Sequence, residues 1–165
     1  MLSSRAANAV EQATVACLRV DLYTTLNQTD RAAAVCLDYL RYLGVEWSPH
    51  PSEEDARREY ERIWKKLRSR AIEELIELPL MSDPASLATL DVLAKVLPAA
   101  WFTDANLFRL AICRAVNLSL ESGNSDGSCV NMRARVKKLN GSLGIRTASG
   151  RGTSIVVSLP LNARS

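Results

Sequence analysis

The residues that could do chemistry gather in the last quarter of the chain. From Gly127 onward there are seven basic residues (Arg133, Arg135, Lys137, Lys138, Arg146, Arg151, Arg164) and no acid. Such a stretch can turn cations toward a phosphate or stay solvated. Asn131-Met132-Arg133-Ala134-Arg135 opens a short basic helix, and free N–H groups at a helix start suit phosphate. Gly150 and Gly152, followed by Thr153, lie between two strand-like runs, where glycines serve a wide hairpin turn over 147–153. No aromatic residue occurs beyond Gly127 on which a base could stack, so nucleic acid is an unlikely partner.

Elsewhere the chemistry is sparse. The one histidine, His50, sits between Pro49 and Pro51 in a loop, VEWSPHP, in which no partner for it can be named; it reads as an exposed bystander and not a general base. Cys17, Cys36, Cys113 and Cys129 are widely separated, with no C-x-x-C and no Cys/His cluster. They read as small buried thiols of a reducing compartment. No metal site and no catalytic residue is expected.

The elements that must carry these residues fall into two unlike parts. Residues 1–126 hold all 18 acids and a net charge of −4, against +3 for the 165-residue chain. Their pattern is helical throughout. Ala6 to Leu26 has an apolar stripe of Val10, Ala13, Cys17, Val20 and Tyr23 at helical steps. Thr29 is expected to cap a second helix, Asp30 to Leu43, with Gly44 in the left-handed position after it. Two helices joined so tightly must lie antiparallel. Trp47 is expected to tuck against that hairpin.

Ser52 should cap a third helix whose charges form a wet face, with Glu54–Arg58 and Glu61–Lys65 pairs and an inward stripe of Tyr60, Ile63, Trp64 and Leu67. AIEELIELPLM adds a short helix stopped before Pro79. Asp83-Pro84 starts another, expected to end before Pro98. Asp104 starts the last, apolar nearly all round and closed by Gly123-Asn124. About six helices in hairpins imply tetratricopeptide-like packing, although no strict 34-residue period is visible. Apolar runs fall short of the roughly 18 residues of a membrane span. The start MLSSRAANAVEQ has no apolar signal-peptide core, so a cytoplasmic chain is expected.

The tail continues the contrast. Met132, Val136 and Leu139 give its helix one apolar edge, and Asn140-Gly141 stops it. Leu143 and Ile145, then Ile155, Val157 and Leu159, alternate with smaller or polar residues as strands do. Pro160 ends the second strand at an edge.

Two resemblances follow from these phrases. DLYTTLNQTDRAAAVCLDYLRYLGVEW, IWKKLRSRAIEELIELPLMSDP and FTDANLFRLAICRAVNLSLESGNSDGSC resemble the helical-repeat segment of large multidomain bacterial sensor histidine kinases. In those proteins a serine/threonine-kinase-like domain and an AAA-type ATPase lead into helical repeats, then sensory domains and a histidine kinase. The match spans residues 6–129 and implies a linker or docking role in two-component signal transduction. The tail resembles the C-terminal end of the Bergerat-type ATP-binding domain of histidine kinases, of the nitrate-sensor-like branch. The matching phrases are Asn131 to Arg135, Gly141 to Thr147, Gly150-Arg151-Gly152-Thr153 and Leu159-Pro160. That resemblance implies Gly150, Gly152, Thr153, Asn131 and Arg133 as residual nucleotide-site positions, with ATP and Mg²⁺ the cofactors of the parent family.

The departures from that family are large. Cys129 stands where the lid motif has its second glycine. The Asn-bearing Mg-binding helix, the Asp-x-Gly-x-Gly motif and the phosphoacceptor histidine helix have no counterpart in the sequence. The expected architecture is therefore mainly α: an antiparallel helical-repeat array over 1–126, then a helix and β-hairpin from a truncated ATP-binding domain over 127–165. The expected function is a non-catalytic fragment of a sensor histidine kinase that scaffolds protein or interdomain contacts, with no bound cofactor. A stand-alone helical interaction module is the alternative, and an ATP-binding histidine kinase the remote one. The abrupt join near Asn124 suggests an internal deletion or gene remnant.

Overall fold

Helix α1 (Leu2–Thr25) stops where Asn27 takes a left-handed φ of 55°, a backbone setting that asparagine tolerates better than most residues. The Gln28 N–H reaches back to Tyr23 O at 2.8 Å, while Gln28 O already accepts from Ala32 N at 3.1 Å. One residue thus closes α1 and opens α2 (Thr29–Tyr42). The expected Thr29 cap is corrected: Gln28 holds the cap position without a side-chain capping bond, and Thr29 is the first helical residue. The turn is too tight to leave Thr29 outside the helix. At the far end Gly44 has φ 82°, with Gly44 N to Arg41 O and Val45 N to Leu40 O closing α2.

The computed structural model describes residues 2–68, 78–125, 142–148 and 152–158, with backbone only for 2–7 and for the two strands. Within these residues the chain is mainly helical. Helix α3 (Glu53–Leu67) has Ser52 at its N-cap in a reciprocal capping box with Asp55. Helix α4 (Pro84–Thr103) starts from Asp83, with Pro84 in the first turn. Helix α5 (Ala105–Ser122) starts from Asp104, which accepts from the N–H groups of Asn106 and Leu107 at 2.8 and 3.0 Å. Strands β1 (Ser142–Ala148) and β2 (Gly152–Ser158) pair antiparallel, with Leu143 opposite Val157 and Ile145 opposite Ile155.

Helix α4 is the hub. It packs against α1, α2 and α5, whereas α3 packs against α5. Tyr39 and Thr89 share a buried hydrogen bond of 3.0 Å from α2 to α4. Lys95 reaches Asp21 of α1 at 2.6 Å. Chain neighbours α2 and α3 therefore separate, and α3 crosses to the far side of α5. The main core lies among α1, α2 and α4 and is rich in small residues: Ala13, Ala16, Ala32, Ala33, Ala99 and Ala100 are all buried. Small side chains let helix backbones approach closely, and Leu40, Val92, Leu93 and Val96 fill what remains. Trp47 packs against the edge of this core.

Three sequence expectations change here. Helix α4 does not end before Pro98 but runs through it to Thr103. Ala99 and Ala100 beyond the proline are fully buried, and that packing outweighs one missing ladder bond. The continued α4 is long and apolar enough to cross a membrane by length and composition alone. It carries Asp91 and Lys95, however, and its inward face is core, so no clear membrane span exists among the described residues. The inward stripe of α3 is corrected in part: Leu67 is buried, but Tyr60 and Trp64 are half exposed, because among the described residues α3 packs chiefly on α5. The hairpin connection is shorter than expected, since Thr147, Ala148, Gly152 and Thr153 belong to the paired strands. Of the helix expected from Ala71 up to Pro79, residues 71–77 lie outside the described residues and Leu78 is not helical; the basic helix from Asn131 also lies outside the described residues.

Candidate functional site

The candidate positions that the sequence offers lie in the tail. Of these, Gly152 and Thr153 open β2, paired with Ala148 and Thr147 respectively. Gly150, Asn131 and Arg133 lie outside the described residues.

His50 has a partner after all. Its Nδ1 lies 3.2 Å from Asp104 Oδ2, although the ring remains 76% exposed. The Ser48 hydroxyl donates to His50 O and accepts from His50 N, which shapes the turn and leaves the ring alone. Asp104 is already committed to capping α5, and those backbone N–H groups, chiefly that of Leu107, hold its carboxyl below its ordinary value. Among the described residues no hydroxyl or thiol hydrogen-bonds to the imidazole. Together with Asn106 Nδ2 to Pro51 O at 3.2 Å, the contact pins the loop before α3 to the start of α5. Its chemistry is structural.

The charges of α3 are not one wet face. Glu54 does pair with Arg58, at 3.2 Å, but Glu61 pairs with Arg57 at 3.6 Å and not with Lys65. Glu59 turns inward. It meets Arg114 of α5 at 3.7 Å and Arg62 at 3.4 Å. Asn117, fully buried on α5, donates from Nδ2 to both the main-chain O and Oε1 of Glu59. Lys66 pairs with Glu121 at the other end of the same seam. An asparagine in the middle of ANLFRLAICRAVNLSLES is the signal that could have flagged this seam, since such a residue inside a packed helix needs a partner.

Of the thiols expected to be buried, Cys36 is, Cys17 and Cys113 are only partly so, and Cys129 lies outside the described residues. Burial pushes Cys36 up to about 12, and burial likewise raises Cys17 and Cys113. No cluster of three or more His, Cys, Asp or Glu side chains is arranged to hold a metal among the described residues.

What the described residues offer instead is surface. Val15, Leu18, Leu22 and Leu26 are each more than half exposed. Steps of three and four put Val15, Leu18 and Leu22 on one stripe of α1, opposite the buried Ala9, Ala13, Ala16 and Val20, and Leu26 continues it in the turn just after the helix. Helix α1 is therefore apolar on both faces. Leu18 also borders a groove of about 650 Å³ between α1 and α4. Its walls include Val10 and Cys17 on one side and Leu87 and Ala88 on the other, with Asp21, Asp91 and Lys95 toward one end. A second apolar area lies on α3 and α5, where Tyr60 and Trp64 stack edge to face at 6.1 Å and Ile112 and Val116 are partly exposed. Trp101 and Phe102 are still more exposed at the end of α4.

No protein-family model matches the chain, and no curated protein or solved structure shows significant similarity to it.

Proposed function

We propose that this chain is a non-catalytic helical scaffold of two-component signal transduction, a fragment of a multidomain sensor histidine kinase that makes partner or interdomain contacts. The observation that carries the scaffold role is the outward stripe of α1, four large aliphatic side chains each more than half exposed. Monomeric soluble proteins rarely leave a contiguous apolar patch of this kind without a use for it. The assignment to sensor kinases rests on the resembling phrases of the sequence. In that reading residues 1–126 are a helical-repeat, tetratricopeptide-like segment, and β1 and β2 are the last hairpin of a truncated ATP-binding domain. A stand-alone interaction module would use the same stripe, with a partner from outside kinase signalling.

Photo-crosslinking tests both readings. A photoreactive amino acid at Leu22 or Trp64 should give adducts in cells with a histidine kinase or response regulator. Adducts with other proteins alone favour the stand-alone module, and no adduct from either face ends the scaffold reading. Titration with a fluorescent ATP analogue and Mg²⁺ tests the non-catalytic part. No saturable binding is expected. Micromolar binding lost in G152A and T153A variants would overturn it.

A further inference from the structure

We infer that the groove between α1 and α4 is a seat for one amphipathic helix of a protein partner, a helix that carries lysine or arginine beside its apolar edge. The inference rests on the scaffold reading and gives it a location and a ligand chemistry.

The geometry comes first. Along α1 the groove takes Val10, Ala13, Thr14, Cys17 and Asp21; along α4 it takes Pro84, Leu87, Ala88, Asp91 and Lys95. Both sets recur at three- and four-residue steps, so each wall is one edge of a helix. Asp21 meets Lys95 at one end while Val10 and Pro84 share the other, so the two helices run in the same direction. The groove spans about 16 Å along α1, roughly three turns. Ridges of a third helix, spaced at i, i+3, i+4 and i+7, fit the gaps between such edges. The outward stripe flanks the groove through Leu18, so an occupant would cover both together.

Charge selects the occupant. Asp91 and Asp21 both line the groove and share one lysine, Lys95, which pairs with Asp21 at 2.6 Å and also feels the charge of Asp91. The other cation of this part of α1, Arg19, lines the separate crevice against α2 beside Asp38. Among the described residues two carboxylates therefore line the groove against one lysine. An acidic helix would add like charge to this surplus and a purely apolar one would desolvate it, whereas a basic helix supplies the second cation.

The test uses the full chain and two fluorescein-labelled peptides of one amphipathic pattern, one built from leucine and lysine and one from leucine and glutamate. The lysine peptide should bind saturably and about tenfold more tightly than the glutamate peptide, with affinity falling as salt rises. Asp91→Lys should reverse that preference, and Leu18→Glu should abolish binding of both. Asp91 and Leu18 are exposed, so these variants should melt as the parent does. Equal affinity for the two peptides overturns the inference. So does binding that ignores Asp91→Lys and is lost in Trp64→Ala, which would move the seat to α3 and α5. A concentration-dependent dimer lost in Leu18→Glu would give the face to a second copy. Failure of the groove with kinase adducts still formed at Trp64 would leave the scaffold reading standing.

Discussion

Asn117 on α5 donates from one amide nitrogen to both the main-chain carbonyl and the carboxylate of Glu59 on α3, each at 2.9 Å. Asn117 is fully buried, so a donor lost there is not readily replaced by solvent. This is the fastening of α3, a helix whose packing partner is α5. Asn117→Ala removes the donor and leaves a partly buried carboxylate with less support. The expected cost is about 2–4 kcal/mol in urea unfolding. Hydrogen exchange should localise the loss: α3 amides should lose protection while those of α4 keep theirs. Uniform loss across all helices would show that α3 is not a separable unit.

Gly123 and Gly44 both end helices at positive φ, 103° and 82°, yet they should differ in sensitivity. A Cβ on Gly44 would meet open space, whereas one on Gly123 would collide with the main-chain O of Pro79. That carbonyl accepts from Asn124 N at 2.8 Å, and Met81 N returns a bond to Asn124 O. Gly44→Ala should therefore cost about 1 kcal/mol, the strain of left-handed backbone alone. Gly123→Ala should cost about 3 kcal/mol or more, since it must also open this bridge. Comparable melting temperatures for the two variants would contradict the close approach.

These two sites show what the sequence discloses and what it hides. Caps were legible because each is a local matter: Ser52, Asp83 and Asp104 bond to N–H groups within three residues. The tight α1–α2 hairpin was legible for the same reason. Glu59 was not, because Arg62 three residues on already offered it a basic partner, and only the crossing of α3 to α5 brings Asn117 to it. The outward stripe of α1 was present in the spacing but hidden beneath the inward one, which alone suffices to explain a helix. Pro98 was misread since local rules cannot weigh the burial of Ala99 and Ala100. The tail positions Gly152 and Thr153 were legible as strand-turn chemistry, and nothing in their pairing distinguishes a nucleotide role.

Acid should weaken this fold through its caps. Hydrogen bonds to the Ser86 hydroxyl and N–H lower Asp83, and the Leu107 N–H leads in lowering Asp104. A carboxylate lowered on folding stabilises above its unfolded value of about 3.8 and loses that contribution as pH falls through the lower folded value. Stability should therefore be level from neutral pH down to about 5 in so far as these groups set it, then fall below about 4. The double variant D83N/D104N keeps side-chain acceptors at both caps but removes the titration. Its urea midpoint should be less sensitive to pH between about 5 and 3 than the parent's. An unchanged acid dependence would assign the loss to other carboxylates.

Pro98 tests how far packing overrides the backbone. Its ring sits on the exposed side of α4, so replacement by alanine removes no core contact. It gives back an N–H that can bond Ala94 O four residues earlier and relieves the clash a proline makes there. The opposing effect is greater freedom of the unfolded chain, worth about 0.4–1 kcal/mol. Beyond residue 98 the helix is already held by buried Ala99 and Ala100, by Thr103 Oγ1 donating to Ala99 O at 2.8 Å, and by Trp101 edge to face with Phe108 at 5.0 Å. Pro98→Ala should thus stabilise by about 1–2 kcal/mol, read as a rise of a few degrees in Tm. A lower Tm would mean that the packing of α4 against α1 and α5 depends on a bend the proline supplies, and that the core was fitted around it.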